Sequence, residues 1–318
     1  MTSLDISPLV LGTMTFGDTV DAAASAEMVD AALDAGITHI DTANGYAGGE
    51  SERILADLLA TRRDKVTLAT KAGMPNPDAG DNSPLSPTGL RLSLEASLAR
   101  LKTDHVDLFY LHQPDRATPI ADTLSTVADL VKEGKIRALG VSNFAAWQIA
   151  EANHVADAVG APRPIVAQQL YNLLARRIEE EYVEFADVTG LITMVYNPLG
   201  GGLLTGRHSL EAEPTDGRFG DSRLAAMYRE RYWNTAIFDA IAQLTRIADD
   251  AGLPLTELAL RWLVSKPATG PLLLGGSKVE HLHANIAAIG RGALDAEIVD
   301  ACDEIGSALR GPMPNYNR

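Results

Sequence analysis

The chain has 318 residues, 46% hydrophobic and 22% charged, enough to bury a large core as one barrel-sized domain or two smaller ones. Its 42 acidic residues outnumber 27 basic ones for a formal net charge of −15, and no polybasic run is present, which argues against nucleic acid or an anionic membrane as a partner. A single cysteine, Cys302, excludes an intrachain disulfide and a cysteine-rich metal site; no apolar stretch is long enough to span a bilayer and the opening MTSLDISPLV carries no basic n-region, so a cytoplasmic location is expected.

Short apolar runs alternate with longer amphipathic segments. The runs predict strands at residues 9–13, 37–41, 66–70, 106–111, 136–141, 165–168, 192–196 and 272–275. Between them, helical stretches are predicted at 22–35, 51–60, 88–101, 120–132, 145–159 and 179–189. Several of these helices stop at a glycine suited to a left-handed cap: Gly36, Gly134 and Gly190. Strands of this length separated by helices imply right-handed βαβ units and a parallel sheet, and about eight repeats imply an α/β fold of the closed (β/α)8 TIM-barrel type in one domain. Two stretches break the pattern. Residues 74–87 are rich in proline, glycine and aspartate and follow Lys71 directly; residues 198–234 are far longer than an ordinary βα connection and open on PLGGGLLTGR. Both are expected to be loops on the catalytic rim, the second a clamp or lid.

Four residues stand at or just past predicted strand ends: Asp41 in ITHIDTANGY, Tyr46 in the loop after it, Lys71 after VTLAT, and His112 after VDLFYL. In a parallel barrel these ends share one face, where such folds place their chemistry. Singly, each has an ordinary structural explanation as a cap, a surface charge, a loop aromatic or a buried histidine. Together they form a kit for protonating a carbonyl oxygen. A neighbouring ammonium lowers the pKa of a phenol, an aspartate holds the ammonium charged and oriented, and an imidazole hydrogen-bonds the same oxygen.

In order and wording this tetrad resembles that of the aldo-keto reductase superfamily. The resemblance covers almost the whole chain, through LGTMTFG, GITHIDTANGYAGGESERILADLL, GKIRALGVSNF, VAQQLYNLLAR, YNPLGGGLLTGR and LLLGGSKVEHLHAN. It implies one domain over residues 1–318. It also implies a nicotinamide cofactor, for which no GxGxxG follows the first strand, so the barrel mouth must bind it. By the same resemblance Ser142, Asn143 and Gln168 hydrogen-bond the nicotinamide carboxamide and Tyr196 stacks on its ring. Gln169 is the rival to Gln168, which has the family's spacing before Tyr171. Thr13, Met14, Asn197, Leu199, Gly201 and Arg207 are implied as further cofactor contacts. So is the segment with Gly275, Ser277, Lys278, His281 and Asn285, where the opening of a helix after Gly276 offers an anion site. His281 departs from the arginine or glutamine usual near an adenosine 2'-phosphate, but Lys278 can still bind that group, which favours NADPH over NADH. A metal is not expected: His281 and His283, two apart on a helix, do not face each other. His39 is expected inside the barrel as a packed polar residue and His105 in a turn at the opposite end.

The resulting expectation is an NADPH-dependent oxidoreductase that reversibly reduces an aldehyde or ketone, acting on a small-molecule carbonyl substrate and independent of nucleic acid and membrane. Met14, Phe16, Met74 and Trp233 are candidates for an apolar substrate wall. A glycoside hydrolase on the same barrel would need two carboxylates at strand ends, and Asp41 alone is so placed. A nucleotide-binding, redox-sensing regulatory subunit on the same fold is the other alternative.

Overall fold

The apolar runs pair in the order in which they occur. In the computed structural model residues 4 and 6–311 are described; residues 1–3 and 5 of the opening segment and the end of the expected domain lie outside them. The strands are β1 (Leu9–Gly12), β2 (His39–Asp41), β3 (Thr67–Ala72), β4 (Val106–Leu111), β5 (Ile136–Ser142), β6 (Val166–Leu170), β7 (Ile192–Tyr196) and β8 (Leu272–Leu274). All neighbours are parallel, and β8 closes on β1 through Leu9 opposite Leu272, which makes the expected (β/α)8 barrel.

Helices α1 (Ala22–Asp34), α2 (Glu50–Leu59), α3 (Pro87–Leu101), α4 (Ile120–Lys132), α5 (Ala146–Val159) and α6 (Tyr182–Thr189) follow the first six strands in turn. After β7 come α7 (Ala225–Tyr232), α8 (Thr235–Asp250) and α9 (Leu255–Val264), and after β8 come α10 (Val279–Gly290) and α11 (Ala296–Ala308). Helix α4 shows why these segments are helical: Leu124, Val127, Ala128 and Leu130 form a buried face, Lys132 sits in the last turn, and Gly134 turns the chain at φ 76°. Gly36 and Gly190 also have positive φ, as their place after α1 and α6 requires. None of the helices is long and apolar enough to cross a membrane, among the described residues.

Period two sorts each strand into an inner and an outer face. Phe109 and Leu111 of β4 face outward into the core shared with the helices, while Leu108 and Tyr110 pack inside with Val10, Ala69, Val166 and Met194. The interior is filled, not hollow. Tyr110 fits because its neighbour in register is Gly140: a Cβ there would lie 2.6 Å from Tyr110 Cδ1 and Cε1. His39 is fully buried on the inner face of β2, as expected, and neither ring nitrogen has a hydrogen-bond partner among the described residues. His105 lies at the opposite end, its Nδ1 2.6 Å from Asp104 Oδ1.

Three differences from the sequence reading bear on the site. Strand β3 runs through Lys71 to Ala72, because its ladder with β4 continues to Ala72 opposite Leu111; Lys71 is inside the strand, not beyond it. Helix α6 starts at Tyr182 after a separate turn at Arg177–Glu180, later than the expected start at 179. The stretch 198–234 is not one irregular loop: it contains α7 and buries Leu203, Leu204, Phe219, Tyr228 and Tyr232.

Candidate active site

Strands β2, β3 and β4 bring Asp41, Lys71 and His112 to the C-terminal mouth, and the turn Tyr46–Gly49 brings Tyr46 over them. Lys71 Nζ is the hub. It donates to Asp41 Oδ1 in a pair whose side chains are both 0% exposed, to the Thr42 carbonyl at 2.8 Å and to Tyr46 Oη at 3.1 Å. The same Nζ lies 4.8 Å from the Tyr46 ring centroid. The Tyr46 and His112 rings meet edge to face, with centroids 6.0 Å apart. The four residues separated by up to 71 positions in sequence thus form one contact cluster.

The second Asp41 oxygen, Oδ2, accepts from Gln168 Nε2 at 3.0 Å. A carboxylate only accepts, so the Gln168 amide must turn its NH2 toward Asp41, which leaves Oε1 as the acceptor it offers elsewhere. Burial pushes the Asp41 carboxyl up, against the pull of Lys71 and Gln168. Burial alone would lower Lys71, but the Asp41 charge and the Tyr46 contact outweigh it and hold the ammonium above its ordinary value. With a donor on each of its oxygens, Asp41 is a carboxylate and the pair carries one charge of each sign.

Tyr46 corrects the sequence reading. Burial raises its phenol above the ordinary value, and although Lys71 pulls downward as expected, it does not reverse the sign. The phenol therefore keeps its proton at neutral pH, the state a proton donor needs. His112 is held well below the usual histidine range, first by burial and then by Lys71, so the imidazole is neutral. Its Nδ1 is buried without a hydrogen-bond partner among the described residues, which leaves Nε2 as the nitrogen open to an outside contact.

The residues around the tetrad are placed as follows. Ser142 Oγ donates to the Gln168 carbonyl at 3.0 Å, and Asn143 Nδ2 donates to the His112 carbonyl at 2.9 Å and to Ser142 Oγ at 3.0 Å. Tyr196 Oη donates to Asn143 Oδ1 at 2.7 Å. These four sit together at the ends of β5, β6 and β7, but much of their hydrogen-bonding capacity is spent on one another. Gln169 points away and donates to the Phe144 carbonyl at 2.7 Å. Thr13 is a brace: its hydroxyl donates to the Asp41 carbonyl at 3.0 Å and meets Ser51 Oγ at 2.8 Å. Asn197 is another, accepting from the Gly201 N–H at 2.6 Å and donating to Tyr232 Oη at 2.9 Å. Met14 and Leu199 are half-buried against the core.

The far end of the mouth is more open. Arg207 is exposed and donates to His208 Nε2 at 3.1 Å. Gly275 directly follows β8, and α10 begins later than expected: Lys278, not Ser277, is its extended N-terminal flanking residue, and no side chain among the described residues caps it. Ser277, Lys278 and His281 are exposed, with Ser277 Oγ 3.4 Å from His281 Nδ1. His283 is exposed as well. Asn285 is 4% exposed and makes no side-chain hydrogen bond to another described residue. Of the wall candidates, Phe16 is fully buried in the core and is not a wall; Met74 is exposed, and Trp233 is half-buried against Phe219 and Phe238. Sequence reasoning missed Thr42, whose contribution is a backbone carbonyl, and Asn172 and Tyr232, which hold the start of the long excursion: Asn172 Nδ2 reaches the Asn197 carbonyl at 2.9 Å and Tyr232 Oη at 3.2 Å. No local pattern marks any of them.

A closed parallel barrel with a buried Asp–Lys pair, a protonated phenol and a neutral imidazole at its C-terminal mouth defines an oxidoreductase-type site on a TIM barrel. A family model described as "Aldo/keto reductase family" matches residues 8–307, and the chain belongs to that family. It is 38% identical over 324 residues to "Aflatoxin B1 aldehyde reductase member 2" of Rattus norvegicus, covering 97% of this chain and 87% of that protein. It is 39% identical to "Aldo-keto reductase family 7 member A3" of Homo sapiens, covering 97% and 96%. A "Probable voltage-gated potassium channel subunit beta" of Arabidopsis thaliana is 31% identical over 298 residues, covering 90% and 88%. The chain is an oxidoreductase of the carbonyl-reducing kind.

Proposed function

We propose that the protein is an NADP(H)-dependent reductase of aldehydes or ketones, with Tyr46 as the proton donor. The observation that carries this is the Tyr46 hydroxyl 3.1 Å from the Lys71 ammonium, which the buried Asp41 carboxylate holds in place. Bound NADPH supplies a hydride to the carbonyl carbon. Tyr46 Oη gives its proton to the carbonyl oxygen, and Lys71 stabilises the phenolate left behind. Asp41 keeps Lys71 charged and aimed. His112, neutral and with Nε2 toward the mouth, donates a hydrogen bond that orients the carbonyl. In alcohol oxidation Tyr46 acts as the base.

The residues at the mouth suit such a cofactor. Gln168 Oε1 is an acceptor for a carboxamide N–H, and the backbone at Gly200, Gly201 and Gly202, all with positive φ, can approach a pyrophosphate closely. Asn285 is a buried amide with hydrogen-bonding capacity to spare, and the exposed Lys278 ammonium and Ser277 hydroxyl offer donors that suit a 2'-phosphate. Residues 1–318 act as one functional unit in this reading, in a cytoplasmic setting, with a small carbonyl compound as the partner. Steady-state oxidation of NADPH and of NADH against a panel of aldehydes and ketones tests it. Turnover faster with NADPH is the expected result. Tight NADPH binding with no turnover of any carbonyl would favour a regulatory, nucleotide-sensing subunit instead.

A further inference from the structure

We propose that Arg100 is a positioning residue for Tyr46 and for the pocket wall after Lys71, acting through Glu52 and Asp78; this rests on the catalytic reading of Tyr46. The turn that carries Tyr46 is not a shape that holds itself. Ala47, Gly48 and Gly49 follow one another with φ of 50°, 66° and 86°, and a positive φ at alanine costs energy that the surroundings must supply. One end of the turn is fixed by Asn44 N–H to the Lys71 carbonyl at 3.2 Å. The other end runs straight into α2, whose first turn carries Glu52.

Glu52 is 0% exposed and is the anchor of that second end. Its Oε1 accepts from Thr70 Oγ1, one residue before Lys71, at 2.6 Å, and its Oε2 accepts from Arg100 Nε at 2.7 Å. Arg100 reaches from the last turn of α3 and is 13% exposed. With its other edge it grips Asp78 in two bonds, Nη1 to Oδ1 at 2.9 Å and Nη2 to Oδ2 at 2.6 Å. Asp78 belongs to the segment that follows Lys71, and Asn44 Nδ2 lies 3.5 Å from its Oδ2. The guanidinium also packs on the turn itself: a Cβ on Gly49 would lie 2.7 Å from Arg100 Cδ and Nε.

One guanidinium therefore joins three pieces that meet beside the tetrad: the helix after the Tyr46 turn, the strand that carries Lys71, and the loop after it. A planar fork meets the two carboxylates along different edges, Asp78 in two parallel bonds and Glu52 through Nε, a geometry that the point charge of a lysine does not reproduce. Without Arg100, Glu52 and Asp78 face each other uncompensated, and both the turn and the loop lose their common anchor. Misplacing a reacting group by about 1 Å costs on the order of a hundredfold in rate, so the effect should appear in the chemistry before it appears in cofactor binding.

The test compares Arg100→Met and Arg100→Lys with Arg91→Met, which removes a surface pair to Glu133 from the same helix. Arg100→Met is expected to lower kcat for carbonyl reduction by tenfold or more and to raise the carbonyl KM, with NADPH affinity by fluorescence titration changed less than twofold. Arg100→Lys should recover part of the loss, and Arg91→Met should match wild type. Amide exchange reads the same anchor without assuming any reaction: residues 44–49 and 76–79 should exchange faster in both Arg100 variants, and the barrel strands should not. Unchanged exchange there, or kcat and KM within twofold of wild type in Arg100→Met, would overturn the proposal. A wild-type protein that turns over no carbonyl, with the exchange change still present, would instead overturn the functional reading and leave the anchor standing. If Arg100→Met does not fold, the Arg100→Lys exchange and kinetics decide the matter by the same criteria.

Discussion

The two sides of the barrel mouth are built differently. Over β2, β3 and β4 the working groups are buried and their bonds are made within the protein: Lys71 has three partners, Asp41 has a donor on each oxygen, and the loop after Lys71 is tied by Asp78 to Arg100. That loop is tied again by Asp115, which accepts from Ser83 Oγ at 2.5 Å and from the Leu85 N–H at 3.2 Å. Over β7 and β8 several of the candidate groups are exposed and make few bonds: Arg207, Ser277, Lys278 and His281 face solvent. The long excursion there is held by apolar packing of Phe219, Tyr228 and Trp233, by Asn172 at Tyr232 Oη, and by ties to Asp18 that include Ser222 Oγ to Oδ2 at 2.7 Å. The first side is organised before any ligand arrives, as the proposed proton transfer requires. The second is a set of donors that a bound anion would complete. Changes on the first side should therefore alter rate or stability, and changes on the second should alter binding.

The sharpest test of that division is Tyr46→Phe. On the proposed mechanism it removes the proton donor and no cofactor contact, so carbonyl reduction should fall by roughly three orders of magnitude or more while NADPH affinity stays nearly unchanged. Retained turnover would take Tyr46 out of its role. In wild type the reduction rate should hold through neutral pH and fall only on the alkaline side, as the buried phenol finally ionises.

His39 tests whether the organised side extends below the tetrad. Burial, with Lys71 adding to it against Asp107, lowers its pKa to about 4. Unfolded, it titrates near about 6.5. Between those values the unfolded chain binds the extra proton, so stability is full at neutral pH and is lost as pH falls toward 4, by about 3 kcal/mol for this one group. Denaturant unfolding of His39→Gln and His39→Leu at pH 7 and at acid pH measures it. An acid limb as steep in His39→Leu as in wild type would assign the loss to other groups.

On the open side, Lys278→Ala should raise the NADPH dissociation constant by about tenfold, the scale of one charge-assisted hydrogen bond, and leave NADH binding and kcat nearly as they were. Equal weakening for both nucleotides would mean that Lys278 does not read the 2'-phosphate.

The smallest expected effect is in motion. NADPH should raise amide-exchange protection between Gly200 and Arg207 and leave the already fastened residues 76–79 and the turn at His105 unchanged. Equal protection with and without bound NADPH would show that the glycine-rich segment is as preorganised as the tetrad, and the comparison would fail there.

Much of this was legible in the order of the residues. Strands 106–111 and 192–196 and helix 120–132 begin and end where the apolar pattern does, because alternation of short apolar runs with amphipathic segments permits few folds other than a parallel sheet wrapped by helices. The same pattern and the strand-end positions picked out Asp41, Tyr46, Lys71 and His112 as groups that share one face. Tertiary structure decided what depends on register, depth and distant partners. Whether Gln168 or Gln169 faces the site follows from Ser142 standing opposite Gln168 across the β5–β6 ladder. The direction of the Tyr46 shift is a contest between burial and the Lys71 charge, and depth is a property of the whole packed barrel. Helix α7 formed inside a stretch that read as loop because Tyr228 and Tyr232 found buried places against distant parts of the chain. Arg100 carried no signal at all: its carboxylates lie 48 residues before it in Glu52 and 22 before it in Asp78, and only the fold closes those distances to one hydrogen bond.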